Sequence, residues 1–176
     1  MINDIVTVRR VGANEAAACA EGLAEVLLDC VRGGASVSFM NSLTHEQALK
    51  FWRGVADGVA RGERVLLIAE DGDARIVGTV QLVMSMPDNQ PHRADVAKML
   101  VHRSARRQGI AQRLMSALDD EARAEGKTVL VLDTVTGGDA ERLYARAGWQ
   151  KVGVVPKYAL MPDGELCGTT FFYKHL

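Results

Sequence analysis

Arg103, Arg106 and Arg107 crowd a short segment that ends in Gln108-Gly109-Ile110-Ala111, between an apolar run and a helical pattern. A strand feeding such a loop into a helix start aims several backbone N–H groups, and the positive end of the helix dipole, at one spot. That suits a phosphate group. Gly109 lets the backbone approach an anion closely, and the arginines add charge and planar donor forks. The same pattern also describes an ordinary strand-to-helix turn with solvated arginines. Two carboxylates stand at the ends of apolar runs. Asp133 ends the apolar run Val129-Leu130-Val131-Leu132, and ligands collect at the C-terminal ends of strands in open α/β sheets. Asp95 opens the apolar stretch that leads to the basic loop. Their plainer uses are a loop cap for Asp133 and a solvated strand-entry acid for Asp95.

Other chemistries find no support. There is no G-x-G-x-x-G after a strand and no G-x-x-x-x-G-K-[ST], so neither dinucleotide nor P-loop chemistry is indicated. The cysteines, Cys19, Cys30 and Cys167, are odd in number, far apart and without a C-x-x-C, which argues against a disulfide framework or a zinc site and for a reducing compartment. His45, His92, His102 and His175 are scattered, so no metal is expected. With 21 basic against 22 acidic side chains, the chain lacks the basic excess of a nucleic-acid binder. The first ten residues hold no signal-peptide core, and no run reaches membrane-spanning length. A cytoplasmic protein without a membrane partner is expected.

These residues need elements to hold them. At 176 residues and 48% hydrophobic composition, a single domain over 1–176 with a sizeable core is expected. Residues 5–9 alternate as an edge strand. Leu23, Val26, Leu27, Cys30 and Val31 follow helical spacing and predict a helix over 15–31. Gly33 to Asn41 reads as a loop, and Thr44 with Gln47 as a capping box that starts a helix reaching Arg61. Strands are expected over 64–70 and 74–85, joined by a turn at 71–73, and over 94–102. The loop Met86–Arg93 separates the last two. The helix Gly109–Glu125, the buried strand Thr128–Asp133, the helix Thr136–Ala147 and short closing strands over 151–155 and 169–174 complete the chain, with a turn at 161–164. The order β-α-α-β-β-β-α-β-α-β-β predicts an α/β fold, a central mixed sheet flanked by helices on both faces.

The loop Arg106-Arg107-Gln108-Gly109-Ile110-Ala111 resembles the pyrophosphate loop of the GCN5-related N-acetyltransferases, [Q/R]-x-x-G-x-[G/A]. The element order agrees with that fold. A second motif of the family, N-x-x-A-x-x-x-Y-x-[K/R]-x-G-[F/W], is met by Ala140, Tyr144, Arg146, Gly148 and Trp149, with Gly137 in the asparagine place. Within the family, residues 33–40, 92–101 and 132–134 and Pro162-Asp163-Gly164 look like the tabtoxin-resistance acetyltransferases, which acetylate a toxic β-lactam amino acid. The resemblance implies acetyl-CoA as co-substrate, no metal, and a small amino-acid-like amine as acceptor in a ternary complex. It implies that Met99, Leu100 and Val101 meet the pantetheine arm, with Arg106 to Ala111 around the diphosphate. Asp133 and Asp95 would take the amine's proton and Tyr144 would supply one to the departing thiolate. Gly34, Ala35, Ser36 and Phe39, with Asp95 and Asp133, would line the acceptor pocket, and Met86–Arg93 would form its opposite wall. Another acceptor (a different amino acid, a polyamine or a protein amine) and a non-catalytic acyl-CoA-binding module remain as alternatives. Monomer and homodimer are both open.

Overall fold

The computed structural model describes residues 5–176. Among these residues seven strands form one sheet in the order β1-β2-β3-β4-β5-β7-β6, comprising β1 (Thr7–Arg10), β2 (Arg64–Glu70), β3 (Ile76–Val83), β4 (Arg93–Val101), β5 (Val129–Val135), β6 (Gln150–Leu160) and β7 (Leu166–His175). Every pairing is antiparallel except β4 with β5. The helices are α1 (Ala20–Arg32), α2 (His45–Ala60), α3 (Ile110–Ala124) and α4 (Asp139–Arg146). The α/β architecture expected from the element order is the one observed.

β2 shows how both faces are covered. Val65, Leu67 and Ala69 join a core with Leu114, Leu118 and Ala122 of α3, whereas Leu66 and Ile68 pack with Leu23 and Leu27 of α1 and Trp52 of α2. Alternate side chains of a strand point to opposite faces, so a run apolar at every position must be buried twice. Each fully buried leucine contributes ~1.5–3 kcal/mol. α2 starts at the capping box read from the sequence, with the Gln47 amide donating to Thr44 and the Gln47 side chain accepting from the Thr44 N–H. It runs unbroken through Gly54 and Gly58. At Gly58 a Cβ would lie 2.9 Å from Cδ of Arg64, so the glycine makes room for that arginine.

The largest departures from the expected bounds lie at α1, α4 and the closing strands. α1 begins at Ala20, because residues 13–19 form successive turns and Glu15 is drawn to the Arg9 guanidinium instead of opening a helix. α4 begins at Asp139, since Gly137 adopts φ +82° and Thr136 bonds to the Thr170 hydroxyl of β7. The closing strands are much longer than 151–155 and 169–174, forming one hairpin that reaches its tip at residues 161–165. Its outer strand is solvent-exposed along nearly all its length, so the alternation that marks a half-buried strand is missing there.

Candidate active site

β4 and β5 pair only at Arg93–Val129, Ala94–Leu130 and Asp95–Val131. Beyond these residues the strands part, and a cleft of about 1130 Å³ opens between them. On the β3 side, the register slips between Thr79–Leu100 and Gln81–Ala97. One residue too many lies on β4, a β-bulge at Lys98, whose φ is +52°. A bulge reverses which side chains face inward. Before it Val96 packs toward α3, and after it Leu100 packs toward α1. The edge of β4 that faces the cleft along Ala97–Val101 therefore lacks a β5 partner, and Met99, Leu100 and Val101 line the opening.

At one end of the cleft the chain turns through a single 3-10 turn, Arg103–Ala105, into α3. Gly109 caps α3 at φ +73°, a left-handed conformation that favours glycine, and no side chain caps the helix. The first-turn N–H groups of a helix have no intrahelical partners, so here they are open to an anion. Arg106, Arg107, Gly109, Ile110 and Ala111 line this end. Arg106 Nε donates to the Val101 carbonyl at 3.2 Å. Gln108 is exposed and lies outside the lining. Arg103 does not join the loop's charge, because its backbone N–H and Nε both donate to Asp29 at 2.8 and 2.9 Å.

Deeper in the cleft stand Asp133 and Tyr144. Asp133, on β5, accepts from the Thr169 hydroxyl of β7 at 3.0 Å. Tyr144 is buried, its ring packed edgewise against Trp149 and tilted on Phe172, each at 6.0 Å. Burial, reinforced by the Asp133 charge, pushes its phenol well above the ordinary tyrosine range. Asp95 is not brought to the cleft wall. Its carboxylate is held by the Arg93 guanidinium, two residues along the same strand. Asp95 lies at the last paired position, before the strands diverge.

The connection between α1 and α2 forms one wall through Ala35, Ser36 and Phe39, while Gly34 lies outside the lining. Gly34, just past α1 at φ +91°, turns the chain toward the cleft. The Ser36 hydroxyl donates to the Leu160 carbonyl at 2.9 Å, and the Asn41 N–H donates to Pro162 at 3.0 Å. These bonds fasten the loop to the β6–β7 hairpin. The opposite wall is that hairpin, with Tyr158, Ala159, Leu160 and Cys167, and not Met86–Arg93. The hairpin's unexpected length is what carries it across the cleft.

Lys98 is a site residue that motif reading missed. Its Nζ donates to the Ser38 hydroxyl at 3.0 Å and lies 6.0 and 5.7 Å from the ring centres of Phe39 and Phe51. Burial holds the ammonium below the ordinary lysine range, with the Asp133 carboxylate opposing that shift and the Arg64 guanidinium adding to it. In sequence the residue is merely a lysine in a strand. The bulge sets it in the lining of the same cleft as Asp133. Among the described residues no cluster of His, Cys, Asp and Glu suits a metal ion. None of the described helices is long and apolar enough to cross a membrane.

The sequence model of the acetyltransferase (GNAT) family matches residues 32–149. Over 107 residues, 60% of this chain, the sequence is 35% identical to an uncharacterised N-acetyltransferase from the hisH–hisA intergenic region of Azospirillum brasilense, and the match spans 61% of that relative. An N-acetyltransferase from Staphylococcus aureus Mu50 superposes with a TM-score of 0.78 at 16% identity, covering 97% of this chain and 98% of its own. yncA of Salmonella typhimurium, classed as an acetyltransferase and solved with its cofactor acetyl-CoA, superposes at 0.77 and 20% identity, over 98% and 94%. At such identities the structural likenesses speak for the fold.

Proposed function

The chain belongs to the acetyltransferase (GNAT) family, and we propose that it is an acetyl-CoA-dependent N-acetyltransferase acting on a small, amino-acid-like amine by direct transfer in a ternary complex. One observation carries this reading. The gap between β4 and β5 runs without interruption from the uncapped start of α3 to Asp133 and Tyr144. A single cleft thus joins an anion site to a base and an acid.

Acetyl-CoA supplies the thioester when bound. The residues present fit it: the α3 N-terminus with Gly109, Ile110 and Ala111, and the guanidinium groups of Arg106 and Arg107, suit the diphosphate. The unpartnered edge of β4 at Met99 to Val101 suits the pantetheine amides, as an added strand would pair there. An N–H of Met99 or Leu100 is the donor for the oxyanion. A primary ammonium has a pKa near 10, about that of lysine, so the acceptor must lose a proton first. Asp133, oriented by Thr169, is the base. Tyr144 keeps its proton at any working pH because its phenol is pushed upward, and so serves as donor to the thiolate. Asp95 is at most a distant electrostatic contributor, being paired with Arg93.

Two cysteines line the cleft, Cys30 and Cys167, and the deeper one is unsuited to carry the acetyl group. The Cys30 thiol is buried, donates to the Val101 carbonyl at 3.5 Å and is pushed up by burial, which makes it a poor nucleophile. The segments 33–40, 92–101, 132–134 and Pro162-Asp163-Gly164, which resemble tabtoxin-resistance acetyltransferases, support extending the proposed acceptor class to β-lactam amino acids. The test is CoA release from acetyl-CoA with a panel of amines, tabtoxinine-β-lactam, ordinary amino acids and polyamines among them. Initial rates with both substrates varied should give intersecting lines. Parallel lines would refute the ternary complex, and silence with every amine would refute a small-amine acceptor.

A further inference from the structure

We propose that Lys98 and Ser38 form the subsite that reads an acidic group on the acceptor, such as the α-carboxylate of an amino acid, opposite the Asp133 carboxylate that faces its amine. This rests on the acetyl-transfer reading of the cleft. Lys98 and Ser38 come from different elements, 60 positions apart, and both hold left-handed backbone conformations, φ +52° and +79°. For residues other than glycine such conformations are costly, and they persist where the surroundings enforce them, often at ligand sites. Here two of them are joined by one hydrogen bond. The Ser38 hydroxyl accepts from Lys98 and so keeps its own O–H to donate, while the ammonium has further donors beyond the one Ser38 uses. Together they present donors to one oxyanion, which is what a carboxylate requires.

The local charges point the same way. The groups acting on Lys98 are the Asp133 carboxylate and the Arg64 guanidinium, whose Nη1 is tied to the Gln81 side chain at 2.7 Å. Lys98 and Asp133 both line the cleft, and Arg64, outside that lining, adds a second positive charge acting on Lys98. An acceptor carrying only an ammonium would make that imbalance worse, whereas a zwitterion brings the missing negative charge. Phe39 and Phe51 screen one side of Lys98 from water, so an ionic contact made there is worth more than one in solvent. The reaction itself is unchanged, because Lys98 touches the acceptor's acidic group and not the bond being made.

The experiment measures CoA release with the twenty common L-amino acids, the same amino acids as α-carboxamides, and a polyamine series, for the unaltered enzyme, Lys98→Met, Lys98→Arg and Ser38→Ala. The readout is the ratio of kcat/KM for an acid to that for its amide. The expected ratio favours the acid in the unaltered enzyme and falls by about 10- to 100-fold in Lys98→Met, the loss of a hydrogen bond to a charged group. Lys98→Arg restores part of it, and Ser38→Ala lowers it several-fold. Any non-glycine residue at position 98 meets the same backbone, so Lys98→Met adds no new backbone strain, and its fold is checked by acetyl-CoA binding. A ratio unchanged in Lys98→Met overturns the proposal, as does equal use of acids and amides by the unaltered enzyme. Turnover of the amides or polyamines alone overturns it while acetyl transfer stands. Silence toward all three series overturns both readings.

Discussion

Tyr144→Phe removes a single hydroxyl and leaves the ring. The ring is 5% exposed and packs on Trp149 and Phe172, each at 6.0 Å. These contacts involve carbon and survive the change, so stability should shift by no more than about 1 kcal/mol. The lost donor is worth about 10²- to 10⁴-fold in rate, or roughly 3–5 kcal/mol of barrier at about 1.4 kcal/mol per tenfold. The assay is single-turnover CoA release at saturating acetyl-CoA, with acetyl-CoA affinity measured alongside to show that the cleft still binds. pH gives a second readout. The working form is the neutral phenol, and burial beside Asp133 raises its pKa, so Tyr144 should cause no fall in kcat below about pH 10. The same shift links folding to pH. The folded phenol binds its proton more tightly than the unfolded one, so its contribution to stability is intact below about pH 10 and is lost as pH climbs toward the folded value. Tyr144→Phe should lack that alkaline loss. Single-turnover rates within about threefold of the unaltered enzyme would refute the proton-donor role.

Thr169→Val removes the hydroxyl that bonds both the Asp133 carboxylate and the Thr134 carbonyl at 3.0 Å. We expect kcat to fall about tenfold, the equivalent of ~1.4 kcal/mol, with KM for acetyl-CoA unchanged in steady-state kinetics. Gly109→Ala meets open space but must keep φ +73°, at a cost of about 1–2 kcal/mol; denaturant melts and a raised KM for acetyl-CoA should both report it. Gly78→Ala places a Cβ 3.2 Å from Ile110 and Leu114 and 3.3 Å from the Leu100 carbonyl. Overpacking there should destabilise by about 1–3 kcal/mol and, by pushing α3 off the sheet, weaken acetyl-CoA binding in calorimetry.

Local signals in the chain gave much of this arrangement. The apolar runs at 64–70 and 129–132, the Thr44–Gln47 box and the glycine before α3 are each short-range patterns with one physical use, and each holds in the structure. What stayed hidden depends on distant partners. Nothing in Ala97-Lys98-Met99 announces a bulge, because the residue that takes φ +52° is a lysine and not a glycine. Arg103 and Arg106 look alike in sequence, yet only the first meets Asp29 of α1. Asp95 was legible as a carboxylate beside the cleft strands, but Arg93 beside it claims that carboxylate. The reach of the β6–β7 hairpin could not be read because its outer strand is exposed on both faces.

The most direct measurement mixes acetyl-CoA with the amine panel and quantifies CoA and acetylated amine together by mass spectrometry, for the unaltered enzyme and for Asp133→Asn. The account predicts one acetyl amide per CoA released with a small zwitterionic amine, and a fall of at least about 100-fold in Asp133→Asn with acetyl-CoA binding intact. Acetyl-CoA bound without any amide formed, or full activity in Asp133→Asn, would contradict it.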